Sequence, residues 1–187
     1  MRRQLAAVSL LLLLPIAACR SEPEPAPTAV LPTPAPPTAQ SPTPEERESE
    51  AVLRAYNEGQ QVAEDLFQQG GDLDAEETLA PYFSGPLLDF YTRELARFRR
   101  DGLTLDGPMT WKATVTDPPA SPDDNTARIT SCADYSRQRV LEKDGETFDR
   151  GFDYSVDAID MRKVDGIWKT HNGRSEPSVS RRPPQCS

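Results

Sequence analysis

From Thr43 onward apolar residues recur at three- and four-residue intervals. Val52, Ala55, Tyr56, Val62, Ala63, Leu66 and Phe67 fall on one stripe, the spacing of an amphipathic helix. Thr43-Pro44-Glu45-Glu46 supplies its start, with Thr as N-cap, Pro at the first helical position and Glu placed to close a capping box. Gly70-Gly71 ends it after about Gln69, and a short helical turn is expected from Ala75 to Ala80. Ser84-Gly85-Pro86 opens another helix, with Leu87, Leu88, Tyr91, Leu95 and Phe98 inward, and Asp101-Gly102 stops it. Beyond Gly102 the period drops to two, and β-branched and aromatic residues alternate with turn signals. Strands are predicted at Met109 to Thr116, Thr126 to Leu141, Tyr154 to Lys163 and Ile167 to Asn172, with a loop from Pro118 to Asn125. Asp144-Gly145 is read as a turn and Asp165-Gly166 as a tight hairpin. Helices first and a meandering antiparallel sheet afterwards make an α+β domain over residues 45–187.

The chain ahead of that domain has no core-forming pattern. Met1-Arg2-Arg3-Gln4 is a short basic region, and Leu5 to Ala18 is uncharged, Leu-rich and too short to span a bilayer, as in an export signal over residues 1–18. Residues 20–44 hold nine prolines and no glycine. Proline fixes φ and removes amide donors, so this stretch is expected to be an extended, solvated spacer reaching on the order of 70 Å.

Ile16-Ala17-Ala18-Cys19 resembles the bacterial lipobox, a branched apolar residue and two small residues before a Cys. The resemblance implies that Cys19 is acylated, by groups such as palmitate, and becomes the new N-terminus after cleavage. It also implies a protein anchored by that lipid to the outer face of the cytoplasmic membrane, with residues 19–44 as a flexible tether. Of the three cysteines, Cys132 and Cys186 then remain to pair. Their disulfide would close a loop of about 55 residues and contribute ~4 kcal/mol in the chain-entropy model.

Charge narrows the partners. With 21 Lys plus Arg against 30 Asp plus Glu the formal charge is −9, and loss of Arg2 and Arg3 takes it to −11. Such a surface repels phosphate backbones, so nucleic-acid binding is not expected. The run Arg93-Glu94-x-x-Arg97-x-Arg99-Arg100 is read as the solvated face of its helix. Cys132 and Cys186 lie far apart in sequence without histidines nearby, which excludes a spaced metal site, and no cofactor is expected.

Four features in order resemble the nuclear transport factor two-like superfamily, which includes the polyketide-cyclase (SnoaL-like) and ketosteroid isomerase domains, and more closely its exported actinobacterial lipoproteins. They are Val52-x-x-Ala55-Tyr56, Ala127-x-Ile129-x-x-Cys132-x-Asp134, Asp165-Gly166-x-Trp168 and Cys186. The resemblance implies helices packed on a curved antiparallel sheet that closes into a cone. It also implies an apolar pocket at the open end, which in the enzymes holds a carboxylate or histidine base beside acidic hydrogen-bond donors.

Candidates for such roles are Asp134, Asp153, Asp157 and His171 as acid or base, with Tyr56, Trp111, Tyr135 and Tyr154 as walls or donors. Asp134 and Tyr135 are adjacent on a predicted strand and point to opposite faces, so only one of them can line a pocket. None of these residues stands in a diagnostic catalytic motif. The expectation is therefore a tethered domain that binds a small apolar ligand or an envelope protein without catalysis. The alternatives are an isomerase- or cyclase-type enzyme using a pocket Asp with a Tyr, and a purely structural stalked domain.

Overall fold

A capping box opens the first helix. Glu46 N–H donates to Thr43 Oγ1 at 3.2 Å while Thr43 N–H donates back to the Glu46 carboxylate at 2.7 Å, and Pro44 takes the first turn. The computed structural model describes residues 41–148 and 150–186. The export segment, Cys19 and the proline stretch as far as residue 40 lie outside the described residues.

The helices are α1 (Pro44–Gln68), α2 (Ala75–Leu79) and α3 (Gly85–Asp101), close to the predicted spans. Gly71 follows α1 at φ 77°, and a Cβ there would collide with the Leu95 carbonyl oxygen, so glycine lets the chain turn directly against α3. Gly102 ends α3 in the left-handed conformation at φ 71°. None of the described helices is long and apolar enough to cross a membrane.

Seven strands follow among the described residues: β1 (Thr104–Asp106), β2 (Thr110–Asp117), β3 (Thr126–Asp134), β4 (Arg139–Leu141), β5 (Thr147–Phe148), β6 (Tyr154–Val164) and β7 (Ile167–Ser175). They form an antiparallel four-stranded sheet in the order β2-β3-β6-β7 and a smaller antiparallel sheet in the order β1-β4-β5. The β6–β7 hairpin turns through Asp165 and Gly166, both at positive φ (52° and 80°), the backbone that the Asp-Gly pair predicts. Bulges interrupt β2 after Val115 and β7 opposite Asp160 and Met161, and bulges bend the strands that carry them.

The single strand predicted from Thr126 to Leu141 is corrected by the structure. Asp134 Oδ1 accepts from both the backbone N–H (3.0 Å) and the hydroxyl (2.6 Å) of Ser136. This local turn ends β3, and Arg139–Leu141 resumes as β4 in the other sheet.

Two apolar clusters hold the layers together. Val52 and Tyr56 of α1 pack on Ala127, Ile129, Ile159, Met161 and Trp168 of the large sheet. Ala63, Ala75, Leu79, Phe83 and Leu95 form a second cluster between the helices. Ala127, Ile129 and Ser131 alternate inward along β3, while Cys132 points to the opposite face. There it meets Cys186, with Cα atoms 5.3 Å apart and the sulfurs joined, so the C-terminal segment straps the outer side of the sheet. The architecture is α+β, helices packed on antiparallel sheets.

Candidate functional site

Between α1, α3 and the small sheet the packing leaves an open cleft of about 580 Å³, within the roughly 300–1,000 Å³ usual for small-molecule sites. Its walls are mainly apolar: Ala63 and Phe67 from α1, Tyr91 and Phe98 from α3, Leu105 from β1 and Val140 from β4. Phe90 and Phe148, 46% and 56% exposed, carry the apolar surface out to the mouth. A second lobe of about 520 Å³ runs toward the large sheet past Tyr56, Leu87, Ser155 and Asp157, and shares Gln60, Tyr91, Met109 and Tyr135 with the first.

Polar groups converge where the two lobes meet. Glu64 lies on the buried face of α1, only 5% exposed. Its carboxylate accepts from Gln68 Nε2 at 2.9 Å, from the Gln138 side-chain amide and from the Met109 backbone N–H. Burial pushes the Glu64 pKa above the usual carboxylate range, outweighing these donors and the attraction of Arg150. Arg150 Nη2 donates to Gln138 Oε1 at 2.9 Å, and the guanidinium stacks 4.7 Å from the Tyr135 ring centre and 5.9 Å from that of Phe152. Arg150 Nη1 is shut off from solvent and has no hydrogen-bond partner among the described residues.

The tyrosines of the cleft are neutral donors. Tyr91 donates to Gln60 Oε1 at 3.3 Å and Tyr56 to Ser131 Oγ at 2.8 Å. Ser155 donates to Asp157 Oδ2 at 3.0 Å, which leaves Tyr135 to donate to Ser155 at 3.4 Å. Burial raises all three phenol pKa values.

Of the residues singled out from sequence, Tyr56 and Tyr135 line the cleft, Tyr135 in both lobes. Asp157 lines the second lobe. Trp111 and Tyr154 do not line it. Trp111 donates from Nε1 to Asn57 Oδ1 at 2.9 Å and packs beside the α1 cluster, whereas Tyr154 stacks under the Arg182 guanidinium at 5.7 Å. Asp153 likewise lies outside, its backbone N–H bonded to the Val179 carbonyl.

Asp134 is no base of the cleft. It faces outward and pairs with Arg182 at 3.0 Å; burial raises its pKa, but the bonds from Ser136 and Arg182 outweigh burial and hold it below the usual carboxylate range. His171 occupies the β7 bulge outside the cleft, in a depression of about 330 Å³ with Arg128, Asp160 and Arg162. Its Nδ1 lies 3.1 Å from Ser84 Oγ, and burial followed by Arg162 lowers its pKa, so it is a neutral buttress for the start of α3. Since His171 is the only histidine and both Cys132 and Cys186 are joined, no cysteine or histidine of the described residues is available to the cleft for nucleophilic catalysis. No group of His, Cys, Asp and Glu among the described residues is arranged to hold a metal ion.

Gln60, Glu64 and Arg150 were not singled out from sequence. The signal for the first two was available, since Tyr56, Gln60 and Glu64 follow at four-residue steps along the buried face of α1.

No protein-family model matches the chain, and no curated protein matches it. Solved structures do. The intermembrane space region of the chloroplast protein ARC6 is 18% identical, over 72% of this chain and 98% of that one, with a TM-score of 0.50. Aln2 from a Streptomyces species is 17% identical over 73% of this chain and 93% of that one, with a TM-score of 0.43. An uncharacterised protein with a cystatin-like fold from Caulobacter vibrioides is 16% identical over 70% and 92%, with a TM-score of 0.39. The likeness to the ARC6 region carries the fold alone. That fold is the cone-like α+β arrangement of helices packed on antiparallel sheets.

Proposed function

We propose that this chain is a lipid-anchored envelope protein whose cone-like domain binds a small apolar ligand without catalysing a reaction. The observation that carries the reading is the aromatic-walled cleft of about 580 Å³ whose apolar surface continues to Phe90 and Phe148 at its mouth. An apolar guest gains roughly 25 cal/mol for each Å² it withdraws from water, and the exposed aromatic rim gives it a continuous path inward. Tyr91 is tied to Gln60 and Tyr135 to Ser155, and such fixed polar groups set a ligand's orientation in an apolar site. Supporting the anchor is the order basic residues, Leu-rich stretch, Ile16-Ala17-Ala18-Cys19 and proline-rich spacer. Cys19 would carry the lipid and residues 20–44 would hold the domain off the membrane.

Filling the cleft tests the binding reading. Val140 lies on the wall and is almost fully buried. In the full chain, Val140→Trp is expected to weaken binding of the neutral apolar dye Nile red at least about tenfold, the loss of roughly 1.4 kcal/mol, while thermal unfolding stays cooperative. Dye binding that is equal in the two forms would place the dye elsewhere and remove the cleft as the site.

A further inference from the structure

An apolar cleft of this kind has no need of a cation, yet one lines its inner wall. The Arg150 guanidinium lies over the Tyr135 ring at 4.7 Å, with Phe152 farther off at 5.9 Å, and one arm is anchored on Gln138 Oε1 at 2.9 Å. The other arm, Nη1, is out of contact with solvent and without an acceptor among the described residues. A buried donor left unmet is costly, and more so when it is charged, so such a group is most readily explained by an acceptor that arrives with a ligand.

The remaining charges of the lining say what that acceptor is. Glu94 and Arg97 pair with each other at 2.9 Å, and Arg97 also reaches Asp101 at 3.8 Å. Glu142 adds a negative charge at the mouth. Inside, Glu64 faces Arg150 from α1, with Gln138 bridging the two side chains. A doubly charged head such as a phosphate monoester would meet Glu64 and Glu142 on a chain of net charge −9. A single negative charge offsets Arg150 alone.

We infer that the cleft takes a single-chain carboxylic acid, its carboxylate on the free arm of the Arg150 guanidinium and its hydrocarbon chain along Phe67, Phe98, Leu105 and Val140. This rests on the cleft-binding reading and deepens it. Because Nη1 has no solvent contact, the guanidinium would have to turn about its Gln138-anchored arm for Nη1 to meet the carboxylate. The aromatic walls then keep that ion pair away from water, where it is stronger than at the surface.

The test compares laurate with dodecanol, which share a chain and differ in the charge of the head. Each is titrated against Nile red bound to the full chain carrying Cys19→Ala, which removes the site of the proposed acyl groups. Laurate is expected to displace the dye at a concentration at least about tenfold lower than dodecanol. Arg150→Met is expected to abolish that preference while leaving displacement by dodecanol within about twofold, a readout that also shows the cleft intact. Equal displacement by the two ligands in the parent chain, or a laurate preference that survives Arg150→Met, overturns the carboxylate assignment and leaves cleft binding standing. Displacement by neither ligand overturns both. The contrast between the ligands in the parent chain decides the matter even if Arg150→Met does not fold.

Discussion

Glu48 is one of the carboxylates through which acid weakens the fold. Its Oε2 accepts from Lys163 Nζ at 2.7 Å and from the Trp168 indole N–H at 2.9 Å, while Lys163 lies 5.0 Å from the Trp168 ring centre. The bonds from Lys163 and Trp168 hold its pKa below the ordinary value of 4.5. A folded-state pKa below the unfolded one means that the stabilisation is complete above about pH 4.5 and disappears as pH falls through the folded value. Glu48→Gln keeps an acceptor but loses the charge, so it is expected to cost about 1 kcal/mol at pH 7. Thermal unfolding of the two forms should therefore converge as pH is lowered from 4.5 through the folded value; a gap that stays constant over the whole acid range would assign the effect to packing. Trp168 was legible in the sequence as part of the Asp165-Gly166-x-Trp168 hairpin, whereas the role of Glu48 was not, because its partners lie 115 and 120 residues away. Arg150 was hidden for another reason. It stands between β5 and β6, where no periodicity places a side chain inside or out.

Among the elements, the helices and long strands were readable because each carries its own period and its own stop. The short ones were not. β1 and β5 have three and two residues, too few for an alternation to register, and yet with β4 they build the side of the cleft that carries Leu105, Val140 and Phe148. The run from Thr126 to Leu141 alternates well enough to read as one strand, and only the Asp134–Ser136 turn divides it between the sheets. The cone was therefore legible as an order of helices and strands, while the width of its open end was not. The C-terminal strap belongs to this scale as well. Cys132→Ser together with Cys186→Ser frees the segment after β7 without touching the inward face of β3, and is expected to lower stability by about 4 kcal/mol with the apolar clusters kept. Reductant added to the parent chain should reproduce the shift in melting temperature and leave the double variant unchanged; if the double variant responds equally, the strap contributes nothing.

For the whole molecule the proposed anchor makes a separate claim. The full chain is expected to sediment with membranes, and Cys19→Ala to release it to the soluble fraction; an unaltered membrane share would mean that something other than lipid on Cys19 holds it there. A net charge of −9 offers anionic headgroups no attraction, so charge alone would not hold the chain at a membrane. One contact acquires a different meaning in a tethered protein. Glu48 lies in the second turn of α1, five residues after the Thr43 cap, and ties that turn to the hairpin formed by β6 and β7. Any tension arriving along the chain ahead of Thr43 reaches this cross-link before it reaches the rest of α1. If Cys19 anchors the chain as proposed, drag would pull the domain against the β6–β7 hairpin, and the rest of the helix that walls the cleft would be spared the first strain.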